Sequence, residues 1–318
     1  MQPATSSKVA GAKQASKEGS SMYSRVLVPL DGSKLAEEIL PLAECIGTAF
    51  NIPVELLSVV EKDVVEDMSK YSKGAQSKAA TAAQVYLSGI ATKMSSQVPA
   101  DQVKMSVKVA KVADAIVEEA DKVNGTLIAL SSHGRSGLTR MVLGSIADKV
   151  LHATKSPLLL YTPREDEPNR PADDLNTIVV PVDGSELAER VLPHTKALAK
   201  ALKLKIILLR VTPDVTGYYE GDQFYPMPQE VIEGIENDAL NYLDEKVAAL
   251  KSEGFSSVEG CLLSGQAATQ IVDFIRNTPR SFAAISTHGR SGMNRWVLGS
   301  VADGVIRRTA APVLVVRP

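Results

Sequence analysis

A chain of 318 residues, 44% hydrophobic and 23% charged, has room for two domains of ordinary size, each with its own core. A formal net charge of −2 argues against a general nucleic-acid binder, and no apolar run approaches the length of a membrane span. The two cysteines, Cys45 and Cys261, each lie inside an apolar segment, which speaks against a disulfide framework and for a reducing, cytoplasmic setting.

Residues 1–22 are rich in Ala, Ser, Lys and Gly without the apolar core of a secretory signal, so they read as a disordered tail. Arg25 to Asp31, RVLVPLD, is a buried-strand pattern that runs into Pro29-Leu30-Asp31-Gly32-Ser33. One helix is predicted from about Lys34 to Phe50, with Leu35, Ile39, Leu42 and Ile46 at helical spacing. Pro53 to Val60 reads as a second strand and Ser72 to Gln97 as an alanine-rich amphipathic helix. Val103 to Val109 is the third strand, Ala113 to Lys122 a helix, and Thr126 to Leu130 the fourth strand. A helix from Ser145 and a last strand, Pro157 to Tyr161, finish a unit spanning 23–163. Strands alternating with helices in this way predict a parallel, doubly wound α/β sheet.

Residues 164–175 are charged and contain Pro168 and Pro171, as a linker would. Then the pattern restarts in a second unit, 176–318. Thr177 to Asp183, TIVVPVD, matches the first strand, and the turn recurs as Pro181-Val182-Asp183-Gly184-Ser185. Lys205 to Val211, Ser257 to Leu263, Phe282 to Ile285 and Pro312 to Val316 are the remaining strands; Glu230 to Leu250 is the long helix. Ser131 to Val150 and Ser286 to Val305 share fourteen of twenty positions, so the chain is a duplicated domain. The offset grows from 152 at Asp31 and Asp183 to 155 at Gly134 and Gly289. The added length falls in 213–228, where Tyr218, Tyr219, Phe224 and Tyr225 mark a surface loop packed on its own side chains, a lid or a dimer contact.

Each repeat runs from a strand through His-Gly-Arg-Ser-Gly and a basic bridge to a Gly-Ser that opens a helix. Glycine lets backbone approach a ligand, and a helix N-terminus presents unpaired N–H groups to an anion. Gly144-Ser145 and Gly299-Ser300 therefore read as phosphate cradles, with the serines as N-caps and Asp148 and Asp303 completing a weak capping box. Arg135 and Arg290 neutralise phosphate or are solvated turn residues. His133 and His288 are structural imidazoles or neutral phosphate donors; a metal or general-base role is the sharper alternative. Asp31 and Asp183 would repel phosphate, so they belong at the base or ribose end, hold a cation, or simply form the turn before glycine. All of these follow strand ends that face one crevice. No P-loop, no G-x-G-x-x-G after either first strand, no zinc spacing and no G-x-S-x-G elbow occurs, so no catalytic residue and no metal ligand is named.

These residues resemble the universal stress protein family in its tandem form, over about Tyr23 to Pro318. The family's nucleotide-binding pattern, G-x2-G-x9-G-[ST], is matched by Gly134, Gly144 and Ser145 and by Gly289, Gly299 and Ser300, while Ser131 and Ser286 replace its first glycine. The resemblance implies ATP as ligand, with or without Mg2+, strand order 3-2-1-4-5 in each half, and antiparallel pairing of the two last strands. It also implies sites made of Pro29, Leu30, Asp31, Ser33, Val59, Ser131, His133, Gly134, Arg135, Gly144, Ser145 and Ile146, and of Pro181, Val182, Asp183, Ser185, Val211, Gly265, Ser286, His288, Gly289, Arg290, Gly299, Ser300 and Val301. Ser264-Gly265-Gln266-Ala267 fits the family turn better than Val109-Ala110-Lys111-Val112, so the second site is expected to be the more regular. The reading is a nucleotide-dependent stress-response module with little turnover, pairing its own halves or forming a homodimer. The alternatives are a slow ATPase or phosphotransferase and a scaffold without nucleotide.

Overall fold

The computed structural model describes residues 21–70, 72, 74–132, 143–162, 175–214, 217–220, 223–287 and 298–317. The tail, nearly all of the linker and the two bridges lie outside these residues. With the bridges go His133, Gly134, Arg135, His288, Gly289 and Arg290.

The first half runs β1 (Arg25–Pro29), α1 (Lys34–Glu37), α2 (Leu40–Phe50), β2 (Val54–Glu61), α3 (Lys62–Ser69), α4 (Ala75–Met94), β3 (Val103–Ala110), α5 (Val112–Asp121), β4 (Thr126–Ser131), α6 (Ser145–Ala153) and β5 (Leu158–Tyr161). The second runs β6 (Thr177–Pro181), α7 (Glu186–Glu189), α8 (Leu192–Leu202), β7 (Lys205–Thr212), β8 (Gly217–Glu220), β9 (Gln223–Pro226), α9 (Gln229–Ser252), β10 (Val258–Ser264), α10 (Ala267–Arg276), β11 (Ser281–Ser286), α11 (Ser300–Arg308) and β12 (Val313–Val316).

Ten strands form one sheet in the order β10-β7-β6-β11-β12-β5-β4-β1-β2-β3. Each half is parallel with the expected 3-2-1-4-5 order. The halves join where β5 and β12 pair antiparallel, Leu160 opposite Val313 and Leu158 opposite Val315. That pairing covers what would otherwise be two exposed sheet edges. Alternation along the strands splits the core into two layers. In β1, Val26 and Val28 face the layer with α2 and α4, while Leu27 faces the layer with α5 and α6. Among the described residues no helix is long and apolar enough to cross a membrane.

Three features depart from the expected pattern. The single helix over 34–50 is two, because Pro41 enters at the start of α2; its ring lacks an N–H and crowds the carbonyl four residues back, so the chain breaks at Glu38–Ile39. Pro193 does the same between α7 and α8. Within the surface loop expected at 213–228, the described residues hold two strands the sequence reading did not foresee: β8 and β9 pair antiparallel, Tyr218 opposite Tyr225 and Tyr219 opposite Phe224. The first half puts α3 in the corresponding place, a helix absent from the sequence reading. The two halves therefore diverge at the connection after their second strand, where the added length was expected.

Candidate functional site

The site begins with the turn that ends β6. Pro181 closes the strand, and the N–H of Val182 still donates to Leu209 O at 2.9 Å. Gly184 has φ of 86°, which a residue with a side chain rarely adopts. Asp183 Oδ1 accepts from the Ser185 N–H at 2.9 Å and from Ser185 Oγ at 2.6 Å. Ser185 Oγ in turn accepts the Ala188 N–H at 3.1 Å, so this serine is the N-cap of α7. In the first half Gly32 repeats the positive φ, the Ser33 N–H donates to Asp31 Oδ1 and the Ala36 N–H donates to Ser33 Oγ. The Asp-Gly-Ser motif thus stitches strand to helix, and Ser33 and Ser185 are engaged as caps.

Beyond the carboxyl ends of β6, β7 and β11 lies a cavity of about 310 Å³, at the small end of the range for ligand pockets. Of the residues expected in the second site, Pro181, Val182, Asp183, Val211, Ser286, Gly299, Ser300 and Val301 line it. Leu209, Ala267, Ile271, Ile285, Thr287 and Ala302 also line it and were not foreseen. Two of them were within reach of pattern arguments: Leu209 shares a strand face with Val211, and Ile271 follows Ala267 by one helical turn. One wall is apolar and formed by α10 and α11, which approach closely because of Gly304. A Cβ there would stand 2.9 Å from the Ala268 Cβ.

Ser185 and Gly265 are not part of this lining. Gly265 has φ of 126° and donates its N–H to Thr212 O at 2.9 Å, turning the chain from β10 into α10. Its counterpart Ala110 stays in register with Glu61. In the first half Pro29, Asp31, Val59, Ser131, Gly144, Ser145 and Ile146 take the corresponding places in the fold. Leu30 is buried with its N–H bonded to Leu57 O.

The start of α11 also lines the cavity. Here the expected capping arrangement is wrong in both halves. Gly299, not Ser300, is the N-cap (φ −61°, ψ 143°), and Gly144, not Ser145, caps α6 (φ −57°, ψ 144°). The glycine N–H groups donate to Thr287 O and Ser132 O, both at 2.8 Å, and the glycine carbonyls accept from Asp303 and Asp148, both at 2.9 Å. This anchoring on the strand end fixes glycine as the cap, one residue earlier than serine chemistry implied. Asp148 and Asp303 then stand outside the capping-box position.

A glycine cap has no side chain to satisfy the first helical amides. Among the described residues no acceptor meets the N–H groups of Ser300, Val301 and Ala302, all three of which line the cavity. The buried Ser286 Oγ, also in the lining, has no hydrogen-bond partner either. A buried hydroxyl without a partner, such as Ser286 Oγ, is costly unless something polar reaches it. With the positive end of the α11 dipole behind them, these groups are built to receive an anion. Asp183 at the far end of the cavity favours neutral or donor groups. Among the described residues no cluster of three or more His, Cys, Asp or Glu is arranged to hold a metal ion.

The universal stress protein family model matches the chain twice, over residues 22–162 and 175–317. Universal stress protein MJ0531 of Methanocaldococcus jannaschii is 30% identical over 143 residues, which is 44% of this chain and 81% of that protein. Universal stress protein MJ0577 of the same organism is 30% identical over 153 residues, covering 44% of this chain and 93% of its own length. A universal stress protein structure from Archaeoglobus fulgidus has a TM-score of 0.67 at 21% identity, covering 92% of this chain and 98% of that one. A structure from Pseudomonas aeruginosa has a TM-score of 0.62 at 18% identity, covering 93% and 94%. These two show the fold, and the family match spans both halves of it: the chain belongs to the universal stress protein family and carries the family's domain twice in tandem.

Proposed function

We propose that this protein binds ATP in its two crevices and acts as a nucleotide-dependent regulatory module in a stress response, with little turnover. The observation that carries the reading is the trio of unpartnered amides at Ser300, Val301 and Ala302 opening into an apolar-walled cavity. Triphosphate would lie on those amides, and adenine between Val211, Ile271 and the strand ends, with Asp183 toward base and ribose. The same glycine cap and strand-end anchoring in α6 support a second cradle of the same kind.

Low turnover is supported by the chemistry of the lining. Its carboxylate is Asp183, and Oδ1 of that group is committed to Ser185. Rapid phosphoryl transfer requires a positioned water and a charge stabiliser as well as a cradle. A magnesium ion arriving with ATP would take its ligands from phosphate and water, as Mg2+ commonly does.

The test is a pair of substitutions, Gly144→Val and Gly299→Val. Neither glycine has a positive φ, so valine fits the backbone, while it would add a branched side chain at the cap where the cradle opens. ATP titrated calorimetrically into the double variant is expected to give no binding heat, with an unchanged circular dichroism spectrum. Retained ATP binding in a folded double variant would show that the nucleotide sits elsewhere. Nucleotide released by denaturing the purified wild-type protein should be ATP; ADP would favour an ATPase.

A further inference from the structure

Each cradle helix carries an aspartate in its first turn, Asp148 on α6 and Asp303 on α11. A carboxylate there suits the helix dipole but opposes a phosphate arriving at the same end. The two aspartates hold equivalent places, yet their surroundings differ. In α11 the residue one turn on is Arg307, whose Nε donates to Asp303 Oδ1 at 2.7 Å. In α6 the same place holds His152, whose Nδ1 is 3.7 Å from Asp148 Oδ2 and 2.8 Å from the Asp148 carbonyl. The missing strong cation comes from the other half: Arg307 Nη2 donates to Asp148 Oδ1 at 3.0 Å.

One guanidinium therefore spans the first-turn carboxylates of both helices. The frame around it is fixed. The pairing of β5 with β12 sets the two helices side by side, and Arg317 Nη1 donates to the carbonyls of His152 and Thr154 at the far end of α6. Arginine suits the task because its planar fork serves two acceptors at once, which the single ammonium of lysine does less well.

We infer that Arg307 is a positioning residue shared by both cradles, and that the first cradle depends for its anion affinity on this side chain of the second half. The inference rests on the reading of the Gly-Ser corners as phosphate sites. Arg307 does not touch the ligand. It pins and neutralises Asp148 and Asp303, so that phosphate meets the amides without two opposing charges behind them. The side chains of Arg307 and Asp148 are 31% and 37% exposed, so solvent screens the effect. A charge at a helix end then corresponds to about a two- to fivefold change in affinity.

The test uses the full chain and calorimetric titration of ATP. Gly299→Val silences the second cradle and leaves the first to be read alone. In that background Arg307→Gln is expected to weaken ATP binding by about two- to fivefold. Adding Asp148→Asn to it should restore the affinity, because the uncompensated charge is gone. Asp148→Asn by itself should tighten ATP binding, and it serves if Arg307→Gln fails to fold by circular dichroism. Unchanged affinity in Arg307→Gln, a loss that Asp148→Asn does not restore, or no tightening in Asp148→Asn overturns the inference. So does a Gly299→Val protein that binds no ATP while the wild type does, since the first cradle would then be idle. A wild-type protein that binds no ATP instead removes the nucleotide reading itself.

Discussion

Replacing Tyr23 by Phe tests how the two halves hold each other away from the sheet. Tyr23 is fully buried just ahead of β1, its ring edge-on to Phe50 with centroids 5.3 Å apart. Its hydroxyl reaches across to α8 of the second half and lies 2.9 Å from His194 Nδ1. Burial pushes the phenol well above its usual range and lowers the histidine below its own, so near neutrality a neutral phenol and a neutral imidazole share this hydrogen bond. Phenylalanine keeps the ring and deletes only the hydroxyl. The cost is one net hydrogen bond plus a part-buried ring nitrogen left unmet, together about 1–2 kcal/mol. That corresponds to a fall in melting temperature of roughly 2–4 °C per kcal/mol.

The pH dependence has a definite sign. The unfolded histidine takes up a proton near its ordinary value of 6.5, whereas the buried one resists it. Protons thus favour the unfolded chain, and the stability from this contact is present above about pH 6.5 and lost as pH falls below it. Urea unfolding of wild type, Tyr23→Phe and His194→Gln at about pH 7.5 and about pH 5.5 reads both effects. Wild type should lose more stability on acidification than His194→Gln. Equal midpoints for wild type and Tyr23→Phe at the higher pH, or equal acid loss with and without His194, would refute the reasoning.

Two other substitutions separate structural from ligand roles. Ser185→Ala removes the cap of α7 and one bond to Asp183, and is expected to cost about 1 kcal/mol in urea unfolding. ATP affinity should change little; a large loss of affinity at unchanged stability would make Ser185 a ligand contact. Arg25→Ala strikes a buried network found in the first half, where Arg25 bonds Glu55 and Thr126 and pairs with Glu119, itself held by Lys108 and Lys122. Leaving Glu55 without its cation, and Glu119 with only Lys108 and Lys122, should cost about 3 kcal/mol, read as a lower first transition in calorimetry. A loss below about 1 kcal/mol would mean that the network is solvated.

The duplication, the ten strands of the main sheet, their parallel arrangement within each half and the Gly-Ser corners were legible in the amino-acid sequence, while the strand order came from the family resemblance. Each is a local pattern: continuous buried runs in RVLVP and TIVVP, helical spacing in the connections, and a repeat of identical residues. The helix break was legible too, in Pro41 and Pro193, although spacing alone suggested a single helix. Residues 62–69 and 217–226 resisted because a short polar helix and a two-stranded hairpin each depend on what they pack against.

What only the tertiary structure decided is how distant positions meet. Serine chemistry placed the helix caps at Ser145 and Ser300, but the strand-end carbonyls of Ser132 and Thr287 take the preceding glycine amides and shift each cap by one residue. That shift leaves the next amides bare for a ligand. Arg307 and Asp148 are 159 positions apart, and Tyr23 and His194 are 171 apart. No local periodicity relates such pairs. They come together because β5 and β12 pair antiparallel, which brings Asp148 of α6 within reach of Arg307 on α11 and packs α2 on α8. Side-chain identity supplies the charges and donors, and the geometry of that seam determines which of them touch.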